Sequence, residues 1–374
     1  MRFRASALAT PLLLTLCTAA IAAPDRPAVG AVYAANNAPS GNRVMVFDRA
    51  PNGSISPAGT FATGGTGSGT GLGNQGGVVL TADSRRLLVV NAGSDEISLF
   101  KVRGNGLALL DIVGSGGRRP VSVSVHRNLV YVLNAGGAVG AQDNISGFRI
   151  TEHGRLVPLE DSTRALSGAS TAPAQVSFTP DGDLLVVTEK ATNSILTFAV
   201  DRDGFPEAPV QNASVGATPF GFAFDRRGHL LVSEAFGGAA NASALSSYEV
   251  EDDGVLHVIS PSVPTTESAA CWVQTTLDGR HAYVTNTASG TISGYSIRPD
   301  GSLELLDADG VTESSGGAGS GPIDMALSDD GRFLYDLRGG NGSIGISRVR
   351  ADGSLMPVGS ISGLPAGTNG LAAR

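Results

Sequence analysis

The chain has 374 residues, a formal charge of −8 at neutral pH, 51 glycines and only two cysteines. That charge provides no electrostatic footprint for nucleic acid or for an anionic membrane surface. The length exceeds the roughly 250–300 residues at which a single hydrophobic core stops growing, so the fold has to be divided or repetitive.

At the N-terminus, Arg2 and Arg4 precede an apolar run from Ala7 to Cys17, and the small-residue pattern Ala20-Ile21-Ala22 follows. This is the layout of a signal peptide over 1–22, with Ala23 as the new N-terminus; a cut one residue later would set Pro24 beside the scissile bond. The run is too short for a membrane span. Leu16 occupies the place where a lipid anchor on Cys17 would need a small residue. The mature chain, 23–374, is expected in the periplasm or outside the cell, as a monomer. Cys271 is then its only cysteine, so packing has to stabilise it without an intrachain disulfide.

From there on one pattern recurs seven times: an aliphatic residue, two positions, an aromatic, and a turn pair five residues beyond. The aromatic position is Phe47, Phe100, Phe148, Phe198, Tyr248 and Tyr295, with Ser347 the departure. The turn pairs are Asn52-Gly53, Asn105-Gly106, His153-Gly154, Asp203-Gly204, Asp253-Gly254, Asp300-Gly301 and Asp352-Gly353. They read as type I′ hairpin turns or related loops that need positive φ. Upstream of each such strand C an apolar strand B ends at Asn36, Asn91, Asn134, Glu189, Glu234, Asn286 or Arg338. Before it, in six repeats, an alternating strand A and a turn such as Asp181-Gly182 complete a unit A, B, C, D. The first repeat lacks strand A, and the tail Asn369-Gly370-Leu371-Ala372-Ala373 is expected to supply it by pairing around Val32-Tyr33. The fold class is therefore all-β: a seven-bladed β-propeller of four-stranded blades in one domain, its ring closed by the C-terminal segment.

Segments such as Leu277-Asp278-Gly279-Arg280 and His281-Ala282-Tyr283-Val284-Thr285-Asn286 resemble the lactonase-type seven-bladed propellers, which include 6-phosphogluconolactonase and the carboxymuconate-lactonising enzymes. The resemblance runs from about Ala31 to the C-terminus and implies lactone hydrolysis. Of the positions it marks as catalytic, Glu234 matches the family glutamate that closes strand B of the fifth blade. The family histidine after Pro173 is Ala174 here. The family Arg-His pair after Pro219 is Phe220-Gly221, and the arginine in strand A of the sixth blade is Gln274.

In such a unit the D-to-A and B-to-C connections share one face of the disc and the A-to-B and C-to-D turns the other. Position along the repeat sends His126, His153, His229 and His281 to turns of the second face and His257 to an outer strand, away from the D-to-A mouth. No histidine base or zinc ligand set is expected there. The mouth is expected to carry amides and carboxylates, among them Gln75, Asn134, Gln175, Lys190, Asn286 and Asp324. Such a ring can hydrogen-bond a polyol or sugar acid, or support turns through its own backbone. Glu189 and Glu234 replace Asn in successive blades. They read as a catalytic acid–base pair, as oxygen ligands for a divalent cation such as calcium, or as solvated carboxylates. Arg119 and Arg338 are candidate anion partners. Phe220 and Trp272 read as an apolar ligand wall or as packing between blades. The glycine-dense stretch Gly64 to Gly77 reads as a flexible mouth loop, since no helix follows to receive a phosphate.

Two functions follow: an exported lactonase acting on a sugar-acid or related lactone at the central mouth, with no obligatory cofactor, or a non-catalytic propeller binding a small polar ligand, glycan or protein.

Overall fold

The computed structural model describes residues 28–374 apart from Asn105, so the leader reading and that turn residue lie outside the described residues. Seven antiparallel sheets, each with its strands side by side in the spatial order A, B, C, D, stand around a ring. Strands B end at Asn91, Asn134, Glu189, Glu234, Asn286 and Arg338, and in the first blade at Ala35. Innermost strands of successive blades touch all the way round, which closes the disc. Among the described residues the only helical turns are two short 3-10 segments, Gly136–Val139 and Phe236–Gly238.

Closure uses the tail. Asn369–Ala373 is strand A of the first blade and runs antiparallel to Gly30–Ala35, with Val32 opposite Ala373, Tyr33 opposite Ala372 and Ala34 opposite Leu371. Arg49 Nε donates to the Arg374 carbonyl at 2.9 Å, and Arg374 Nε donates to the Tyr33 hydroxyl at 2.9 Å. The last residue is thereby tied to the first blade twice.

The core lies between blades. The six repeat aromatics are buried, as is Ser347. Tyrosines of strand B reach into the next blade and donate to its turn-glycine carbonyl: Tyr131 to Gly204 at 2.7 Å, Tyr283 to Gly353 at 2.8 Å, and Tyr335 to Gly53 at 2.9 Å. The six C-to-D turns whose residues are all described are not type I′. In the fourth blade Gly204 N–H bonds the Asp201 carbonyl at 2.9 Å, and Asp201 N–H bonds the Phe205 carbonyl at 2.9 Å. Positive φ falls on the glycine alone, at 83° in Gly204, while Asp203 keeps a negative φ. This is a type I turn followed by a left-handed glycine, the related three-residue loop.

Candidate functional site

Strand A is the inner edge of every blade, and its outward N–H groups need acceptors that its own sheet cannot supply. At three junctions the preceding blade supplies them through the side chain two residues after the opening proline. Ser122 Oγ accepts Val176 N–H at 3.2 Å, Gln175 Oε1 accepts Phe222 N–H at 2.7 Å, and Asp324 Oδ2 accepts Leu371 N–H at 2.9 Å. Gln175 Nε2 also donates to the Phe222 carbonyl at 3.0 Å. In the fifth blade the equivalent residue is Gly221, which has nothing to offer. Gln75 fills the gap from across the ring: its Oε1 accepts Val273 N–H at 3.2 Å and its Nε2 donates to the Val273 carbonyl at 2.8 Å. A Cβ on Gly221 would stand 2.3 Å from Gln75 Oε1, so the glycine and the glutamine are one feature.

Gln75 belongs to the glycine-dense stretch, which crosses the hole as a plug. Its first half is fastened to the first blade, where Asn37 Nδ2 donates to the Thr70 carbonyl at 2.8 Å. Its second half bonds four blades. Asn369 Nδ2 donates to Asn74 Oδ1 at 2.9 Å in the first, and Val123 N–H to the Gly76 carbonyl at 2.9 Å in the third. Gln75 N–H donates to the Ala174 carbonyl at 3.0 Å in the fourth, and Trp272 Nε1 donates to the Asn74 carbonyl at 2.5 Å from the sixth. A polar backbone this far from solvent has to be paired, and it is paired to four different strands A or their side chains.

Beneath the plug lies a cavity of about 720 Å³, with Gln75 and Gly76 as its roof. It opens on the A-to-B face, opposite the expected mouth, between Asp83, Leu277 and Asp329. Gln175, Ser177, Gln274 and Asp324 line its walls, and no Lys, Arg or His side chain does. Asp324 is the carboxyl deepest in it. Burial pushes its pKa up to about 8, against the N–H donors of Met325 and Leu371, which pull the other way. At neutral pH the group is therefore largely a carboxylic acid, able to donate as well as accept.

Glu189 and Glu234 stand apart from this cavity and from each other. Both are 0% exposed. Glu189 Oε1 accepts Ser167 N–H at 2.9 Å and Oε2 accepts the Thr192 hydroxyl at 2.6 Å and the Ser167 hydroxyl. Glu234 Oε1 accepts Gly216 N–H at 2.8 Å and the Ser246 hydroxyl at 2.5 Å, and Oε2 accepts the Ser262 hydroxyl at 2.6 Å. Asn134 and Asn286 hold the same position, and Asn134 Nδ2 donates to the Ser115 carbonyl at 3.2 Å. The D-to-A connection thus presents a carbonyl to Asn134 but N–H groups to Glu189 and Glu234, and the residue type follows the polarity of its partner. The four are latches within the fold. No group of three or more His, Cys, Asp or Glu side chains is gathered among the described residues. Arg338 is likewise internal: it grips Asp336 through Nε at 2.6 Å and Nη2 at 3.1 Å, with Glu313 3.9 Å away. Burial raises Glu313 to about 7 and raises Asp336 as well.

Arg119, Phe220 and Trp272 do lie at the D-to-A mouth, together with Lys190. The Phe220 and Trp272 rings are tilted with centroids 5.1 Å apart, and Lys190 Nζ stands 4.5 Å from the Phe220 centroid while donating to the Gly73 carbonyl at 2.6 Å. The histidines stay off the cavity; His229 pairs with Asp225 at 2.8 Å beside an A-to-B turn. Sequence reasoning missed the plug and the inward role of Asp324. The signal available was the empty side chain at Gly221.

Fold and site together define a closed seven-bladed propeller with a plugged, blind central channel of amides and carboxyls. The family described as "Lactonase, 7-bladed beta-propeller" matches residues 31–267, and the chain belongs to it. Among curated relatives, the 6-phosphogluconolactonase of Xenorhabdus nematophila is 26% identical over 157 residues, 40% of this chain and 46% of that one. That of Yersinia pseudotuberculosis is 26% identical over 156 residues, 39% and 45% of the two chains. The chain spans less than half the length of these relatives. Among solved structures, a putative 6-phosphogluconolactonase from Bacteroides fragilis gives a TM-score of 0.73 at 18% identity, covering 94% of this chain and 100% of that one. A periplasmic gluconolactonase from Pseudomonas aeruginosa gives 0.72 at 16% identity, covering 91% and 98%. At these identities the structures speak for the fold alone.

Proposed function

We propose that this chain is an exported lactonase that takes an uncharged, polyhydroxylated lactone into the central channel through the A-to-B face. The observation that carries the reading is Asp324, a carboxyl with its pKa near 8 on the wall of the 720 Å³ cavity, which Gln175 and Gln274 also line. The Gln274 amide keeps its oxygen for a substrate hydroxyl, whereas the Gln175 amide is held by the Phe222 backbone. The lining includes the carboxyls of Asp83, Asp324 and Asp329 without a cation, which opposes a phosphorylated sugar lactone. In its ionised form Asp324 takes a proton from water as the water oxygen bonds to the lactone carbonyl carbon. When the ring C–O bond breaks, the resulting acid returns that proton to the leaving alkoxide. Turnover should therefore rise with pH through about 8.

A second reading, binding without turnover, is favoured by the family positions filled here by Ala174, Phe220, Gly221 and Gln274. Purified protein tested against neutral sugar and aromatic lactones, with spontaneous hydrolysis subtracted, separates the two. The hydrolase reading expects turnover that Asp324→Asn abolishes with affinity kept. Affinity for lactones or polyols without turnover in the wild type supports the binder, and neither in the wild type removes the channel from both readings.

A further inference from the structure

The mouth above the plug holds two cations, Arg119 and Lys190, that form no ion pair with a carboxylate among the described residues. Asp95, the acid nearest to Arg119 along the hydrogen-bond network, is already committed: Oδ1 accepts Arg119 N–H at 2.7 Å and Oδ2 pairs with Arg118 Nε at 2.5 Å. The Arg119 guanidinium is left without a hydrogen bond or ion pair among the described residues, and its Nε is shielded from solvent with no acceptor. Arg119 also has φ at 54°, a left-handed conformation that is costly for a residue with a side chain.

Lys190 approaches from the B-to-C loop of the fourth blade. Its Nζ donates to the Gly73 carbonyl at 2.6 Å and the Pro173 carbonyl at 3.3 Å, which leaves one of its three N–H groups unassigned. Burial, with the Arg119 charge adding to it, lowers its pKa to about 8. Two other titratable groups act on it. Asp143 spends Oδ1 on Gly137 N–H and Oδ2 on Thr171 N–H and hydroxyl. Cys271, its thiol pushed up to about 12 by burial, is uncharged at neutral pH. Next to the Lys190 ammonium lies the Phe220 ring, part exposed and backed by the buried Trp272.

We propose that the D-to-A mouth is a binding site for a small organic carboxylate, held by the free Arg119 fork and the remaining Lys190 N–H with its hydrocarbon body against Phe220. An Arg fork matches the two carboxylate oxygens in one plane, and a charge-assisted pair of this kind gains from a poorly solvated setting. The apolar ring selects an organic anion over a fully hydrated inorganic one. This site is separate from the channel and independent of the hydrolase reading: the plug lies between them, and the channel's carboxyls repel an anion.

Calorimetric titration with benzoate, acetate and inorganic phosphate tests it. The wild type should bind benzoate at one saturable site, more tightly than acetate. Arg119→Gln should weaken benzoate binding at least tenfold, Arg119→Lys should weaken it less, and Phe220→Ala should cost benzoate more than acetate. Thermal melts confirm that each variant is folded. Asp324→Asn should leave benzoate affinity in place. Absence of benzoate binding, an affinity unchanged in Arg119→Gln, a loss in Asp324→Asn, or binding of phosphate in preference to benzoate would each overturn the proposal.

Discussion

Replacing Asp324 by Asn probes the channel through stability as well as turnover. In the folded protein burial pushes the carboxyl up to about 8 from its ordinary 3.8. A raised carboxyl contributes stability that is fully present below the unfolded value and is lost as pH rises through the folded one. Four units at about 1.4 kcal/mol each set a ceiling of about 6 kcal/mol between pH 4 and 9, of which relaxation and water entry should leave a few kcal/mol. Glu313 and Asp336 are raised too and act in the same direction. His281, lowered by burial, acts oppositely as pH falls below its ordinary value. The difference between variant and wild type removes these shared contributions. Asn cannot accept from both Met325 N–H and Leu371 N–H, as Asp324 does at 2.8 Å and 2.9 Å, so at pH 5 the variant should be less stable by about 1–3 kcal/mol. The variant lacks the ionisation penalty, so the two curves should converge or cross by pH 9. Urea unfolding at pH 5, 7 and 9 measures this. A constant difference across that range would refute the raised carboxyl and the catalytic role built on it.

Gly221→Ala should expel Gln75 and lower stability by about 2–4 kcal/mol from overpacking and the two lost hydrogen bonds. Gln75→Ala added to it should cost less than the sum of the two single changes in denaturant unfolding; strict additivity would mean that the residues are not coupled. Truncation before Asn369 strips strand A from the first blade and removes the acceptor network around Arg374, so aggregation or a fall of several degrees in melting temperature is expected by light scattering and calorimetry. Glu234→Gln sets an amide against the N–H of Gly216 and two hydroxyls. It should destabilise the protein by about 1–3 kcal/mol without a specific effect on turnover beyond the loss of folded protein, as measured by activity per folded molecule. N-terminal sequencing of exported protein should read Ala23, and recovery of Met1 in that material would remove the leader reading.

Much of the scaffold was legible because each blade repeats the same demands. A half-buried strand C needs its aliphatic and aromatic pair, and a tight turn needs one left-handed glycine, so Val44-to-Phe47 and Ile195-to-Phe198 announce themselves in a single sequence. The missing first strand A was equally legible, since an unpaired inner edge is costly and only the tail could cover it. The site was less so. An Asn-to-Glu change at Glu189 and Glu234 looks like chemistry when blades are compared by residue type. In the fold it reflects whether the D-to-A connection turns a carbonyl or an N–H toward the latch, which local sequence does not report.

The plug shows in a more general way why the channel beneath the mouth was hard to read from the sequence. Loops are read as mobile when they are rich in glycine, yet here glycine serves close approach: Gly67 would bring a Cβ to 2.0 Å from the Asn37 carbonyl carbon, and Gly77 to 2.8 Å from Asn369 Oδ1. Small residues let the backbone thread the hole and bond to blades on opposite sides. Gln75 then spends its amide oxygen and an amide N–H on Val273, where Gly221 leaves the belt open. Whether a ring has an open mouth therefore depends on pairs such as Gly221 and Gln75, far apart in the chain and unremarkable when read singly. With that pair closed, the chemistry available to the channel is what remains on its other side, and there Asp324 is the carboxyl that burial has kept protonatable near neutral pH.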